Sequence, residues 1–313
     1  RAFSVQLVID SNTGVVELSG DFQVNSGPID RVLITYPGET WTPGLNTPGF
    51  SGNMGVPNPT TAGGVLTPVQ LRTVDAYANL VSGTWVATLA CPTGYLFLLD
   101  EFGNLISDLH VTLSGTANYQ VVFRTAGAQH LSVDVGGVPT SFSSTVTVAA
   151  NSFLRIAVVA PGETLDPGTF DIDGKLGTPA AQDAGVPFGV QVYATDYYYN
   201  PISNASVSLP MDVTFDTSDL AATMPVGPQT LLSNAGSFQA TLVTLADPNQ
   251  QTIRVTHEGG IIKGTAVIPV VAGVLDHFDI GINTNTNADV GDPLEDVPNH
   301  QAGSWLPSVT VIA

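Results

Sequence analysis

Positive charge is almost missing from this sequence: its 313 residues hold 8 Lys and Arg against 27 Asp and Glu, a formal net charge of −19. Only Lys175 and Lys263 are lysines. Phosphate recognition rests on basic side chains, so this balance excludes nucleic acid as a partner and disfavours anionic membrane surfaces. It suits a soluble secreted surface, or a cation or cationic partner. Cys91 stands alone, so no intrachain disulfide forms and the residue reads as a small buried hydrophobe. No run approaches the ~20 apolar residues of a membrane helix. The chain opens on Arg1-Ala2-Phe3 without a signal-peptide pattern, so any targeting segment is expected outside it.

Catalytic signatures are also missing. There is no G-x-S-x-G, Walker A, G-x-G-x-x-G, H-E-x-x-H or C-x-x-C. The five histidines, His110, His130, His257, His277 and His300, are scattered without metal-ligand spacing. With so many acids, carboxylate pairs arise by chance, and none is matched to a nucleophile or base. The expectation is a chain that is not an enzyme.

What is present is turn chemistry. Gly 32 and Pro 22, among many Val and Thr and without 3.6-residue periodicity, argue for short strands joined by turns. Apolar content of 43% is enough for packed cores. One stretch occurs twice: Pro37-Gly38-Glu39-Thr40-Trp41-Thr42-Pro43-Gly44 and Pro161-Gly162-Glu163-Thr164-Leu165-Asp166-Pro167-Gly168. Each follows a short apolar run, Val32 to Tyr36 or Ile156 to Ala160, and each opens a long irregular stretch expected to be loop. Proline and glycine explain the abrupt strand exit, and Thr40 or Thr164 is a candidate to close the local turn.

Further matches flank this pair. Asp75-Ala76-Tyr77-Ala78-Asn79 and Asp196-Tyr197-Tyr198-Tyr199-Asn200 share a D-x-x-x-N spacing that fits a strand-to-strand turn. Asp100-Glu101-Phe102-Gly103-Asn104 has it again within the first repeat. Closing hairpins are expected from Leu131–Val135 to Thr145–Val148 and from Ile253–Thr256 to Thr265–Ile268, across Gly136-Gly137 and Gly259-Gly260. Setting Arg31, Arg155 and His277 level gives steps of 124 and 122 residues. A fixed period of this size marks a repeat architecture.

The expected organisation is a closing hairpin of one repeat in 1–27, a full repeat in 28–152, a second in 153–273, and the opening strands of a third in 274–313. The chain therefore reads as a segment of a longer array, starting and ending mid-repeat. About seven short strands per repeat is the pattern of an immunoglobulin-like sandwich. The order of apolar strand, P-G-E-T-x-x-P-G, Gly177-Thr178-Pro179, D-x-x-x-N and the closing Thr125-Ala126-Gly127-Ala128-Gln129 resembles bacterial immunoglobulin-like (Big-type) tandem-repeat domains of large secreted or surface-anchored proteins. That resemblance implies an all-β fold of tandem immunoglobulin-like β-sandwich domains and an extracellular or cell-surface location. It also implies a structural role as stalk, fibre or filament, or an adhesive one. Its partners would be neighbouring repeats and other copies of the chain.

Two sets of residues qualify as sites. Calcium takes six to eight oxygen ligands, and the acids Asp171, Asp173, Asp289, Asp292, Glu295 and Asp296 are the candidates, though solvated acidic loops are the favoured reading of them and the fold requires no cofactor. Trp41, Tyr197, Tyr198 and Tyr199 are loop aromatics able to stack on a surface glycan or enter a receptor pocket. The alternative for these four is that they seal a junction between domains.

Overall fold

A computed structural model describes residues 2–3, 6–8, 16–18, 22–44, 52–171, 173–202, 210–245, 250–273, 279–282 and 309–312. Every regular element among them is a strand. Residues 31 to 149 build two antiparallel four-stranded sheets. One runs His110–Ser114, Thr84–Ala90, Ser132–Val135, Val138–Phe142; the other runs Leu96–Leu99, Thr116–Phe123, Val65–Val74, Arg31–Thr35. In Thr84–Ala90 and His110–Ser114 the period-two pattern turns Ala87, Leu89, Val111 and Leu113 inward. They meet Ile34, Leu71, Leu98, Val121 and Phe123 of the facing sheet in one apolar core. Cys91 is buried in the same core. Two antiparallel sheets closed over a shared core are the immunoglobulin-like sandwich.

A second core, from Ile156 to Val270, is built the same way. Arg155–Val159, Phe188–Thr195 and Ala235–Ala240 form one sheet. Gln182–Asp183, Lys263–Val271, Gln250–His257, Met211–Thr217 and Gln229–Leu231 form the other. Beyond the two cores, Gln6–Val8 pairs with Val16–Leu18, and Asp279–Ile282 pairs with Val309–Ile312.

Of the two expected closing hairpins, one forms and one does not. Ile253–Thr256 does pair with Lys263–Ala266 across the two glycines. Its counterpart does not: Ser132–Val135 turns into Val138–Phe142, while Val146–Ala149 joins Gly127–Gln129 in another layer. The chain changes sheets between Phe142 and Val146, which a pattern of two apolar runs and a turn cannot reveal. Phe238 to Leu245 and Val207 to Leu209 also read as strands in the sequence: of the first only Phe238 to Ala240 is strand, at the end of Ala235–Ala240, and the second lies outside the described residues.

The irregular stretches after the P-G-E-T copies are also more ordered than loops. Glu39–Trp41 pairs with Asn53–Gly55, and Glu163–Leu165 with Lys175–Gly177. Thr60–Thr61 and Gln182–Asp183 then run parallel to the last strand of their own sandwich. The Glu39 amide donates to the Tyr36 carbonyl at 3.0 Å and the Glu163 amide to the Ala160 carbonyl at 3.1 Å. Proline at the second position and glycine at the third, with φ of 94° at Gly38 and 89° at Gly162, give the type II pattern. The glutamate side chains finish the turn, accepting from the Tyr36 amide at 2.8 Å and the Ala160 amide at 2.9 Å. The closing group is therefore Glu39 or Glu163, while Thr40 and Thr164 face solvent.

In the second sandwich a carboxylate ties two segments. Asp219, 2% exposed, accepts from the Val243 amide at 2.6 Å, the Thr244 hydroxyl at 2.7 Å, the Thr244 amide at 2.9 Å and the Ala221 amide at 3.0 Å. Burial alone would raise its pKa, but these four donors outweigh it and hold the group at about 2. A pKa depressed on folding adds stability that is complete above the unfolded value near pH 4 and is lost as pH falls toward the folded one. Thermal melts from neutral pH downward should show this loss in the wild type. Asp219→Asn should start less stable and lack that part of the pH dependence.

Candidate functional site

The three D-x-x-x-N segments form one turn three times. In each, the Asp amide donates to the Asn carbonyl, at 3.0 Å in Asp75–Asn79, 2.9 Å in Asp100–Asn104 and 3.0 Å in Asp196–Asn200. In each, Asp Oδ1 accepts from the amides two and four residues on, at 2.8–3.0 Å. The fourth residue is left-handed: Ala78 at φ 58°, Gly103 at 89°, Tyr199 at 59°. The asparagine, a residue type that tolerates that conformation, instead folds its amide back onto the aspartate.

The second carboxylate oxygen separates the turns. Asp75 Oδ2 accepts from the Gly27 amide and Asp196 Oδ2 from the Asn151 amide, each at 2.9 Å. Gly27 and Asn151 lie in the segments leading into the two sandwiches. Asp75 and Asp196 are accordingly buried, at 3% and 0% exposure, while Asp100 is only half-buried. The hydrogen bonds to Asp75 outweigh its burial and lower its pKa.

Around Asp196–Asn200 the two sandwiches meet. The Asn200 side chain pairs with the backbone of the first sandwich, donating to the Arg124 carbonyl at 2.8 Å and accepting from the Ala126 amide at 2.8 Å. The Tyr95 hydroxyl donates to Asp166 Oδ2 at 2.6 Å, and the Thr125 hydroxyl to the Pro167 carbonyl at 3.3 Å. The bond to Asp166, then burial, raises the Tyr95 pKa. Asn151 Nδ2 donates to the Ala62 carbonyl at 3.2 Å. The x-x-P-G half of the second P-G-E-T copy is thus part of the contact, and the Gly168 amide anchors it to the Tyr198 carbonyl at 2.7 Å.

Aromatic groups fill the remaining space. Tyr198 packs against the first sandwich's core. A Cβ on Gly63 would lie 2.7 Å from the Tyr198 ring, so glycine is required twice there, for its φ of 82° and for the approach. The Arg124 guanidinium lies 5.1 Å from the Tyr95 ring centroid, 4.7 Å from Phe97 and 5.3 Å from Phe170, joining rings of both sandwiches. Tyr199 is buried beneath Arg155, whose guanidinium is 4.8 Å from its ring and 4.5 Å from that of Tyr197. Burial raises the Tyr198 and Tyr199 pKa values.

The candidate binding aromatics are therefore largely engaged. Tyr198 and Tyr199 belong to the junction, and Tyr197 is 40% exposed at its rim. Trp41 is half-buried, donating from Nε1 to the Ala78 carbonyl at 2.9 Å, with Arg72 stacked 4.8 Å from its ring. Of the calcium candidates, Asp171 and Asp173 are exposed, and Asp289, Asp292, Glu295 and Asp296 lie outside the described residues. Among the described residues no three His, Cys, Asp or Glu side chains gather around one cation position. Two clefts, about 320 Å³ beside Asp216, Ser218 and Arg254 and about 270 Å³ beside Leu96, Leu98 and Ile106, bring no histidine or cysteine to a carboxylate.

Sequence reasoning passed over Tyr95, Arg124, Asp166 and Asn151, whose partners lie 45 to 89 residues away or are aromatic faces. The repeated D-x-x-x-N motif was a usable signal, because two of its three copies lie at the same point of the period.

These contacts define a pair of immunoglobulin-like sandwiches clasped end to end through a turn. No family model matches the chain, and no curated protein matches it. Among solved structures it is similar to a glycosyl hydrolase family 2 member from Bacteroides cellulosilyticus, at 11% identity and TM-score 0.25, covering 76% of this chain and 28% of that one. It is similar to Dpr2 Ig1-Ig2 in complex with DIP-Theta Ig1-Ig3, at 9% identity and TM-score 0.26, covering 83% and 70%. An endo-fucoidan hydrolase of glycoside hydrolase family 107 matches at 14% identity and TM-score 0.23, covering 88% and 34%. At these scores none bears on what the chain does.

Proposed function

We propose that the chain is a non-enzymatic structural segment of an extracellular or cell-surface protein, a stalk or fibre in which immunoglobulin-like units follow one another in a fixed orientation. The observation that carries this reading is the Asn200 clasp. A flexible linker would leave the sandwiches independent, the default between domains that share little surface. Here a fully buried asparagine pairs with the Arg124 and Ala126 backbone, while Asp196 of the same turn holds the linker at Asn151. Direction is thereby transmitted from one sandwich to the next. The acidic surface keeps such a segment soluble, and Tyr198 and Tyr199 serve packing rather than a glycan.

Small-angle scattering tests this. The wild-type chain should give an elongated particle with one narrow distribution of lengths. Asn200→Ala leaves the Arg124 carbonyl and Ala126 amide unpaired, a loss of about 1–3 kcal/mol at the junction. The distribution should broaden while the far-ultraviolet circular dichroism stays unchanged. A compact globular wild type, or a variant as stiff as the wild type, would count against the stalk.

A further inference from the structure

The seam between the sandwiches leaves part of its aromatic cluster in water. Phe170 is 52% exposed although three rings touch it: Phe97 at 5.7 Å, Tyr198 at 5.9 Å and Tyr197 at 6.0 Å between centroids. Tyr197 stands nearly perpendicular to it, at 79°, and is itself 40% exposed. The two rings make an open corner on the rim of the junction. A contact built for packing alone would bury them, since each exposed ring forgoes the gain of leaving water.

Two charged groups of opposite kind flank this corner. Stacking on Phe97 and Phe170 holds the half-buried Arg124 guanidinium in place. Among the described residues its side chain nevertheless donates no hydrogen bond, and its Nε is buried without an acceptor. It is a fixed donor with no acceptor capacity of its own. Asp171 follows Phe170 in the chain and is exposed, with its amide donating to Thr169 Oγ1 at 3.1 Å. After the bond to Asp166 and burial, the Asp171 charge also raises the Tyr95 pKa, so this carboxylate lies near the ring that Arg124 covers. An ionised carboxylate is an acceptor only. An anionic ligand would be repelled by Asp171 and by the net charge of −19, and an ammonium ligand by Arg124. A neutral hydroxyl suits both, accepting from the guanidinium and donating to the carboxylate. Sugar rings carry several hydroxyls beside a C–H face that packs on an aromatic ring.

We propose that the corner of Phe170 and Tyr197 binds a neutral saccharide, with its ring stacked on Phe170 and its hydroxyls held between Arg124 and Asp171. Of the aromatics singled out in the sequence only Tyr197 takes part, because Tyr198 and Tyr199 are packed into the seam and Trp41 lies elsewhere. Phe97 and Arg124 come from the first sandwich, and Phe170, Asp171 and Tyr197 from the second. The site is therefore assembled by the junction itself. It goes beyond the stalk reading and does not rest on it.

Saturation-transfer NMR and isothermal titration calorimetry on the full chain test the site. The neutral probes are cellohexaose, xylohexaose and mannohexaose, and the charged controls are hexagalacturonate and hexaglucosamine. At least one neutral probe should bind at millimolar concentration or below, and both charged controls more weakly than it. Asp171→Ala changes an exposed side chain, so its melting curve should match the wild type while affinity falls at least about tenfold, the effect of one good contact. Phe170→Ala should abolish binding. Because that ring also packs on Phe97 and Tyr198, its melting curve is measured too, and Asp171→Ala decides the matter if the junction loosens. Failure of every neutral probe, tighter binding of a charged control, or an Asp171→Ala chain that binds as the wild type does would overturn the site. An elongated, stiff particle that binds no neutral probe would overturn it while leaving the stalk reading standing.

Discussion

Glu163→Ala is expected to destabilise the second sandwich by about 3–5 kcal/mol, the cost of stranding one member of a buried ion pair. Lys175 Nζ lies 2.9 and 3.0 Å from the two carboxylate oxygens of Glu163, and the side chains are 6% and 5% exposed. Alanine leaves the ammonium without a counter-charge and also removes the acceptor for the Ala160 amide. Differential scanning calorimetry should show one unfolding transition falling by roughly 10–20 °C while the other stays in place. Glu163→Met with Lys175→Met should recover most of the loss, since apolar residues of similar volume replace such pairs at little cost. The homologous Glu39→Ala should be milder. Glu39 meets neutral groups, Ser144 Oγ at 2.5 Å and Asn53 Nδ2 at 3.5 Å, so its removal strands no charge. Equal losses at the two positions would refute the ion-pair account.

The second large effect concerns Asp196. Its carboxylate accepts from the Tyr198, Asn200 and Asn151 amides and from Asn200 Nδ2, and Asp196 and Asn200 are themselves fully buried. Asp196→Ala frees several buried donors at about 1–3 kcal/mol each, and it releases Asn200 from the orientation that grips the first sandwich. Loss of stability and loss of stiffness should therefore appear together, in calorimetry and in scattering. Asp100→Ala, in the same turn on an exposed edge, should change neither noticeably. Tyr199 supplies a further check on the geometry. It holds φ 59° with an aromatic side chain, a strained choice that persists because Gly174 and Arg155 enclose the ring.

Much of this was legible in the residues. The all-β class followed from many Val and Thr among turn residues without 3.6-residue periodicity, a signal carried by neighbouring residues alone. The P-G-E-T turn followed from backbone rules, because proline sets φ and glycine alone takes a positive one cheaply. The aspartate's bond two residues on was equally local. Each of these rests on interactions within a few residues, where order along the chain is order in space.

The tertiary structure decided the rest. Three D-x-x-x-N turns look alike as text, yet only those at Asp75 and Asp196 bind an incoming segment, through amides 48 and 45 residues away. The aromatics of Asp196–Asn200 suit a glycan as well as a packed seam until Gly63 and Arg124 are brought against them. Glutamate rather than threonine closes the P-G-E-T turn because its longer side chain reaches back to the Tyr36 or Ala160 amide, and in the second copy folding delivers Lys175 to the same carboxylate. Periodicity and turn chemistry are written in neighbouring residues. Which copy of a motif becomes a junction depends on groups that meet only once both sandwiches have folded.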